Sequence, residues 1–135
     1  MDDSVRIERD VFDRLLAEAR ANPNIECCGL LAGRKAVISA ILPAKNALQS
    51  AKAYEIAPRE LFEFFRRMRS AGLEHLGIYH SHPSGENLPS ELDIDRAFYP
   101  DAAYLIISMR ATASRPIRAF RIVKGQAREL ALEII

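Results

Sequence analysis

Apolar residues first recur at helical spacing between Glu8 and Arg20, where Val11, Phe12, Leu15, Leu16 and Ala19 oppose Asp13, Arg14 and Glu18. That pattern predicts an amphipathic helix packed on a core. Ala21-Asn22-Pro23-Asn24 ends it, because proline disfavours helix at the residue before it and asparagine tolerates turns. Two apolar runs follow, Ile25 to Gly33 and Ala36 to Leu42, separated by Arg34-Lys35, and they predict neighbouring strands. From Pro43 to Lys52 the chain reads as loop, and Ala53-Tyr54-Glu55-Ile56 as a short strand. Helical period returns with Pro58 in the first turn, Leu61, Phe62, Phe65 and Met68 on one face and Gly72 just past the end. That face is read as core.

Leu76-Gly77-Ile78-Tyr79 begins a strand that continues through His82. A short third helix is predicted from Ser90 to Phe98, closed by Pro100-Asp101. Ala102 to Met109 is continuously apolar, the mark of a strand covered on both faces. Ile117 to Val123 and Arg128 to Ile135 complete the strands, with Lys124-Gly125-Gln126 as the turn between them. With no internal repeat, the pattern predicts one α/β domain over residues 1–135. Helices should flank a mixed, largely antiparallel sheet in three layers.

Charge changes the picture only by exclusion. Nineteen Lys and Arg against 18 Asp and Glu leave a net +1, which gives no reason to expect a nucleic acid or a membrane surface as partner. Met1 to Arg6 lacks a basic stretch followed by an apolar core, so no signal peptide is expected. The longest apolar run, Ala102 to Ile107, falls far short of the roughly 20 residues that span a bilayer. A cytoplasmic protein is expected. The two cysteines, Cys27 and Cys28, are neighbours, which excludes a disulfide framework and fits a reducing compartment. They read as small residues at a buried strand start rather than as a nucleophile or soft metal ligands.

The chemistry is concentrated in residues 80–93, His80-Ser81-His82-Pro83-Ser84-Gly85-Glu86-Asn87-Leu88-Pro89-Ser90-Glu91-Leu92-Asp93. A strand puts His80 and His82 on one face. Pro83 and Gly85 turn the chain, and a helix starting near Ser90 can return Asp93 toward the imidazoles. Two His and one Asp with a fourth position for water form the open shell of a catalytic zinc. The blander readings are specific too. His80 and His82 can be plain strand residues, although incidental histidines would scatter; His75, which has no such company, reads as structural or exposed. Ser90-x-x-Asp93 also matches a capping box, a role compatible with ligation. Glu26, at the mouth of an apolar strand, reads on its own as a solvated edge residue. No H-E-x-x-H, no H-x-E with a later P-C-x-x-C and no G-x-S-x-G occurs, which removes the helix-borne zinc protease, the zinc deaminase and the serine hydrolase.

His80-Ser81-His82-Pro83 followed by Ser90-x-x-Asp93, with Glu26 opening E-C-C-G-L-L-A-G, resembles the JAMM (Mov34/MPN/PAD-1) metalloprotease domain. Asn46 and the Y-E-I-x-P segment from Tyr54 to Pro58 extend the likeness over most of the chain. The resemblance implies the MPN fold, with a cytidine-deaminase-like three-layer architecture. It also implies one zinc held by His80, His82 and Asp93, with Glu26 as general base and Ser90 supporting the oxyanion. The wording around the histidines is similar to the RadC branch, while E-C-C-G-L-L-A-G is more like the small prokaryotic peptidases, which is the branch favoured here. The implied partner is a ubiquitin-like or sulfur-carrier protein with a C-terminal Gly-Gly tail, from which cysteine or a short peptide is released. A non-catalytic binding module for such proteins and a RadC-like hydrolase are the alternatives.

Overall fold

The computed structural model describes residues 4–135. The first helix, α1 (Arg9–Ala21), follows a four-residue strand, β1 (Ser4–Ile7), and buries Val11, Leu15 and Ala19 along one side, as its periodicity requires. Two antiparallel strands come next, β2 (Cys28–Arg34) and β3 (Val37–Ala44), joined at Lys35 and Ala36, both at positive φ. The second helix, α2 (Pro58–Ala71), starts on proline and stops at Gly72, whose φ of 68° is left-handed. Then come β4 (Glu74–His82), α3 (Glu91–Asp95), β5 (Ala103–Ser108), β6 (Ile117–Val123) and β7 (Gln126–Ile134).

The expected helices do flank a mixed sheet, but the sheet is not an open middle layer. β1 pairs in parallel with both β3 and β7, so the strands close into a barrel in the order β1-β3-β2-β4-β5-β6-β7. The sheet is mixed and largely antiparallel, as expected: of the seven pairings four are antiparallel and three parallel. Alternation along β4 and β5 explains the two cores. Tyr79, Leu105 and Ile107 face α1 with Val11, Leu15 and Ala19. Ile78, Tyr104 and Ile106 face α2 with Phe64 and Met68.

Several local expectations need correction. Ala53 to Ile56 is not a strand; its backbone is held by Asn46, whose Oδ1 accepts from Glu55 N and whose Nδ2 donates to the Ala53 carbonyl. Phe62 is 67% exposed, because the α2 face that meets the sheet is centred on Phe64 and Met68. α3 ends at Asp95 rather than Phe98, β3 runs on through Pro43, and β7 begins at Gln126 directly after a two-residue turn at Lys124 and Gly125. Cys27 and Cys28 are buried and free, as the packing reading expects. Among the described residues no helix is long and apolar enough to cross a membrane.

Candidate metal centre

The site is built at the C-terminal end of β4. Cys28 lies opposite His80 in the antiparallel β2–β4 pair, and Ser81 N donates to the Cys27 carbonyl at 3.0 Å while Cys27 N donates to Ser81 Oγ at 2.9 Å. Continuing that register one pair on places Glu26 opposite His82, and alternation puts Glu26, Cys28, His80 and His82 on one face. Ser81, unmarked as functional in the sequence, is therefore the clamp between the Glu26 and histidine segments.

Pro83 and the loop after it return the chain so that α3 begins over that face. Ser90 caps the helix: its Oγ accepts from Asp93 N at 3.1 Å, and its N–H donates to Asp93 Oδ2 at 2.9 Å. The same Oδ2 lies 3.1 Å from His80 Nε2 and 3.2 Å from His82 Nε2, and the two Nε2 atoms are 3.0 Å apart. Capping and convergence on the histidines thus use one carboxylate oxygen. The three side chains are the one group among the described residues identified as able to hold a metal ion.

His82 Nδ1 sits 2.6 Å from the Glu86 carbonyl oxygen, which can only accept, so Nδ1 carries the proton and a neutral His82 presents a bare Nε2 inward. His80 is fully buried with Tyr54 stacked on it at 4.6 Å, and burial lowers its pKa, which keeps it neutral. Burial also opposes charge on His82 and Asp93. The hydrogen bonds between them prevail, so His82 is raised and Asp93 held well below the usual carboxylate range. The two Nε2 atoms and Asp93 Oδ2 converge within 3.2 Å of one another, and buried His80 Nδ1 and Glu26 Oε1 find no hydrogen-bond partner. Two imidazole nitrogens and a carboxylate oxygen are a donor set that fits a divalent zinc ion.

Glu26 is not the solvated edge residue that it resembles in isolation. It is 4% exposed, and burial raises its pKa to about 7, with His82 lowering it and Asp93 raising it less strongly. Asn46 Nδ2 donates to the Glu26 carbonyl at 2.9 Å, so one buried amide fixes both Glu26 and the segment carrying Tyr54. Asn46 and Tyr54 stand out in the sequence only through the family likeness. Their neighbours at the centre come from distant sequence, which no local pattern reveals. His75, half-buried, meets Phe65 and Tyr99 edge-on and takes no part in the centre. A groove of about 280 Å³ opens beside Asp93, walled by Tyr54, Leu61, Ile78, Leu92, Tyr99 and Tyr104.

Comparison with known proteins agrees with this geometry. The family model for prokaryotic homologs of the JAB domain matches residues 8–123. The CysO-cysteine peptidase of Mycobacterium tuberculosis is 32% identical over 131 residues, 96% of this chain and 90% of that protein. A desampylase of Haloferax volcanii is 38% identical over 106 residues, 73% of this chain and 76% of that protein. A Desulfitobacterium hafniense protein solved in solution superposes with a TM-score of 0.85 at 34% identity, covering 97% of this chain and 92% of that one. Sequence and fold agree over nearly the whole length, and the chain belongs to the prokaryotic JAB-domain family, within the JAMM/MPN zinc metalloproteases.

Proposed function

We propose that this chain is a zinc peptidase that hydrolyses the amide bond following the Gly-Gly tail of a ubiquitin-like or sulfur-carrier protein. His80, His82 and Asp93 hold one zinc ion, Glu26 is the general base and Ser90 supports the oxyanion. The observation that carries the reading is the convergence of His80 Nε2, His82 Nε2 and Asp93 Oδ2 within 3.2 Å of one another, on the face where the register brings Glu26. Relatives named for cleaving such carriers or conjugates support the substrate class, including a probable TtuB-protein conjugate cleaving protease of Thermus thermophilus at 36% identity over 126 residues. Two buried free thiols are consistent with work in the reducing cytoplasm.

Zinc would supply a Lewis acid that polarises the scissile carbonyl and lowers the pKa of water. The chain's own residues do the rest. Glu26, with its pKa near 7, is suited to take a proton from water close to neutrality and return it to the departing amine. Ser90 Oγ already accepts from Asp93 N, so its hydroxyl proton remains to be aimed at the oxygen that gains charge on the scissile carbonyl. The stacked Tyr54 ring keeps water off His80 and fixes its plane. The groove beside Asp93 has room for the extended tail before the cleaved bond.

The test is hydrolysis of a sulfur-carrier protein whose Gly-Gly tail is extended by a short peptide. Release of the extension by zinc-loaded protein, lost with a chelator and in Glu26→Gln with metal retained, is expected. Binding of the carrier without turnover would make the chain a non-catalytic binding module instead.

A further inference from the structure

We propose that a basic pocket beside the metal centre binds the terminal carboxylate of a short leaving peptide, making Arg110 a specificity residue for tails that end just beyond the cleaved bond. The inference rests on the peptidase reading and adds to it what is recognised on the leaving side.

The pocket, about 220 Å³, is lined by Glu86, Asn87, Ser108, Arg110, Arg115 and Arg118 among others. The register places it. His80 is opposite Ile106 in the parallel β4–β5 pair, and Ile106 is opposite Arg118 in β5–β6, so Arg118 stands in the His80 row two strands away, about 10 Å across the sheet. His82 is opposite Ser108, and Ser108 Oγ donates to the Gly85 carbonyl at 3.2 Å. The pocket therefore opens on the sheet face that carries the histidines, with the 83–89 loop as shared wall. Glu86 joins the two sites, since its carbonyl holds His82 Nδ1 and its side chain lines the pocket.

Charge completes the case. Arg115 and Arg118 both bind Glu129, Arg115 NH1 at 2.8 Å and Arg118 Nε at 3.0 Å. Arg110 is fixed by a bond from its Nε to the Ser84 carbonyl at 3.1 Å, while its NH1 is 3.8 Å from Glu86 Oε1, too far for a hydrogen bond. Three guanidinium groups thus face two carboxylates, and Arg110, with 47% of its side chain exposed, keeps donors free for an anion. The apolar groove meets the centre on the Asp93 side and this pocket meets it on the Glu86 side. An amide held at the centre then directs its acyl tail into the first and its amine portion toward the second. At about 3.5 Å per extended residue, two or three leaving residues bring a terminal carboxylate to the arginines.

The experiment compares two substrates made by ligation onto a ubiquitin-like sulfur carrier, its Gly-Gly tail extended by Ala-Ala as the free acid or as the amide, with zinc-loaded protein. A KM for the acid about tenfold below that for the amide is expected, as for a charge-assisted contact at a half-exposed site. Arg110→Gln should bring the ratio close to one with zinc content and melting temperature unchanged. Lys124→Gln, on the β6–β7 turn, should keep the wild-type ratio. Equal KM values in the wild type, or a preference that survives in Arg110→Gln, would overturn the pocket's role while leaving the peptidase standing. Cleavage of neither substrate would remove the peptidase reading and this inference with it.

Discussion

Asp93 Oδ2 accepts the Ser90 N–H at 2.9 Å and at the same time lies 3.1 Å from His80 Nε2. One oxygen thus caps the start of a helix and completes a metal-binding set. The shared use explains why α3 needs only five residues, Glu91 to Asp95, and adds no fully buried residue to the apolar core: it is a mount for a carboxylate, held by its cap.

Ser90→Ala separates the cap from the chemistry. Loss of the hydroxyl that accepts from Asp93 N should lower stability by about 1 kcal/mol, a typical N-cap effect. Loss of an oxyanion donor should lower kcat by about 10²–10³. Ser90→Thr keeps both groups and should be near wild type in melting temperature and most of its rate. Equal activity of Ser90→Ala and wild type would limit Ser90 to capping.

Glu26 links activity and stability with opposite signs. Its folded pKa of about 7 lies above the ordinary carboxyl value of 4.5, so the folded state disfavours the charged form. The contribution of Glu26 to the stability of metal-free protein is therefore full below about pH 4.5 and is lost as pH rises through 7. Glu26→Gln should raise metal-free stability at pH 8 by up to about 3 kcal/mol and by nothing at pH 4, read by denaturant unfolding, while abolishing hydrolysis.

The carboxylate form is the one that accepts a proton, so the rate should decline on the acid side with a midpoint at or below about pH 7, since a bound cation favours the carboxylate. The kcat profile of wild-type protein between pH 5 and 9 checks this. A midpoint well above 7 would assign the limb to another group.

Gly29 carries the packing behind the site. A Cβ there would lie 2.4 Å from the Leu42 carbonyl oxygen and 2.6 Å from the Tyr79 ring, and Tyr79 in turn donates to Glu18 Oε1 at 2.6 Å. Gly29→Ala must separate β2 from β3 or displace Tyr79, and should cost about 1–3 kcal/mol, measured as a lowered unfolding midpoint.

Helical period located α1 and α2, and the paired histidines with Ser90 and Asp93 located the centre, because those signals repeat within a few residues. Phe62 escaped because adjacent aromatics at 62, 64 and 65 leave the helix phase ambiguous, and only packing chooses Phe64. β1 escaped for a different reason: its four residues carry only Val5 and Ile7 as an alternating signal, and its pairing partners β3 and β7 lie far along the chain. With β1 went the closure of the barrel. Tyr54, an aromatic residue following a loop, has the sequence signature of a strand. Its position is set instead by Asn46, whose side chain replaces ladder hydrogen bonds that no neighbouring strand supplies.

The proposed peptidase depends on one zinc held by three converging side chains. Elemental analysis of purified wild-type protein, beside His82→Ala and Asp93→Asn, tests it most directly. About one zinc per wild-type chain is expected, lost from both variants, since each removes one member of the group formed by His80, His82 and Asp93. Wild-type protein that takes up no zinc after reconstitution at neutral pH would leave Ser90 and Asp93 as a helix cap only, with no metal centre and no zinc peptidase.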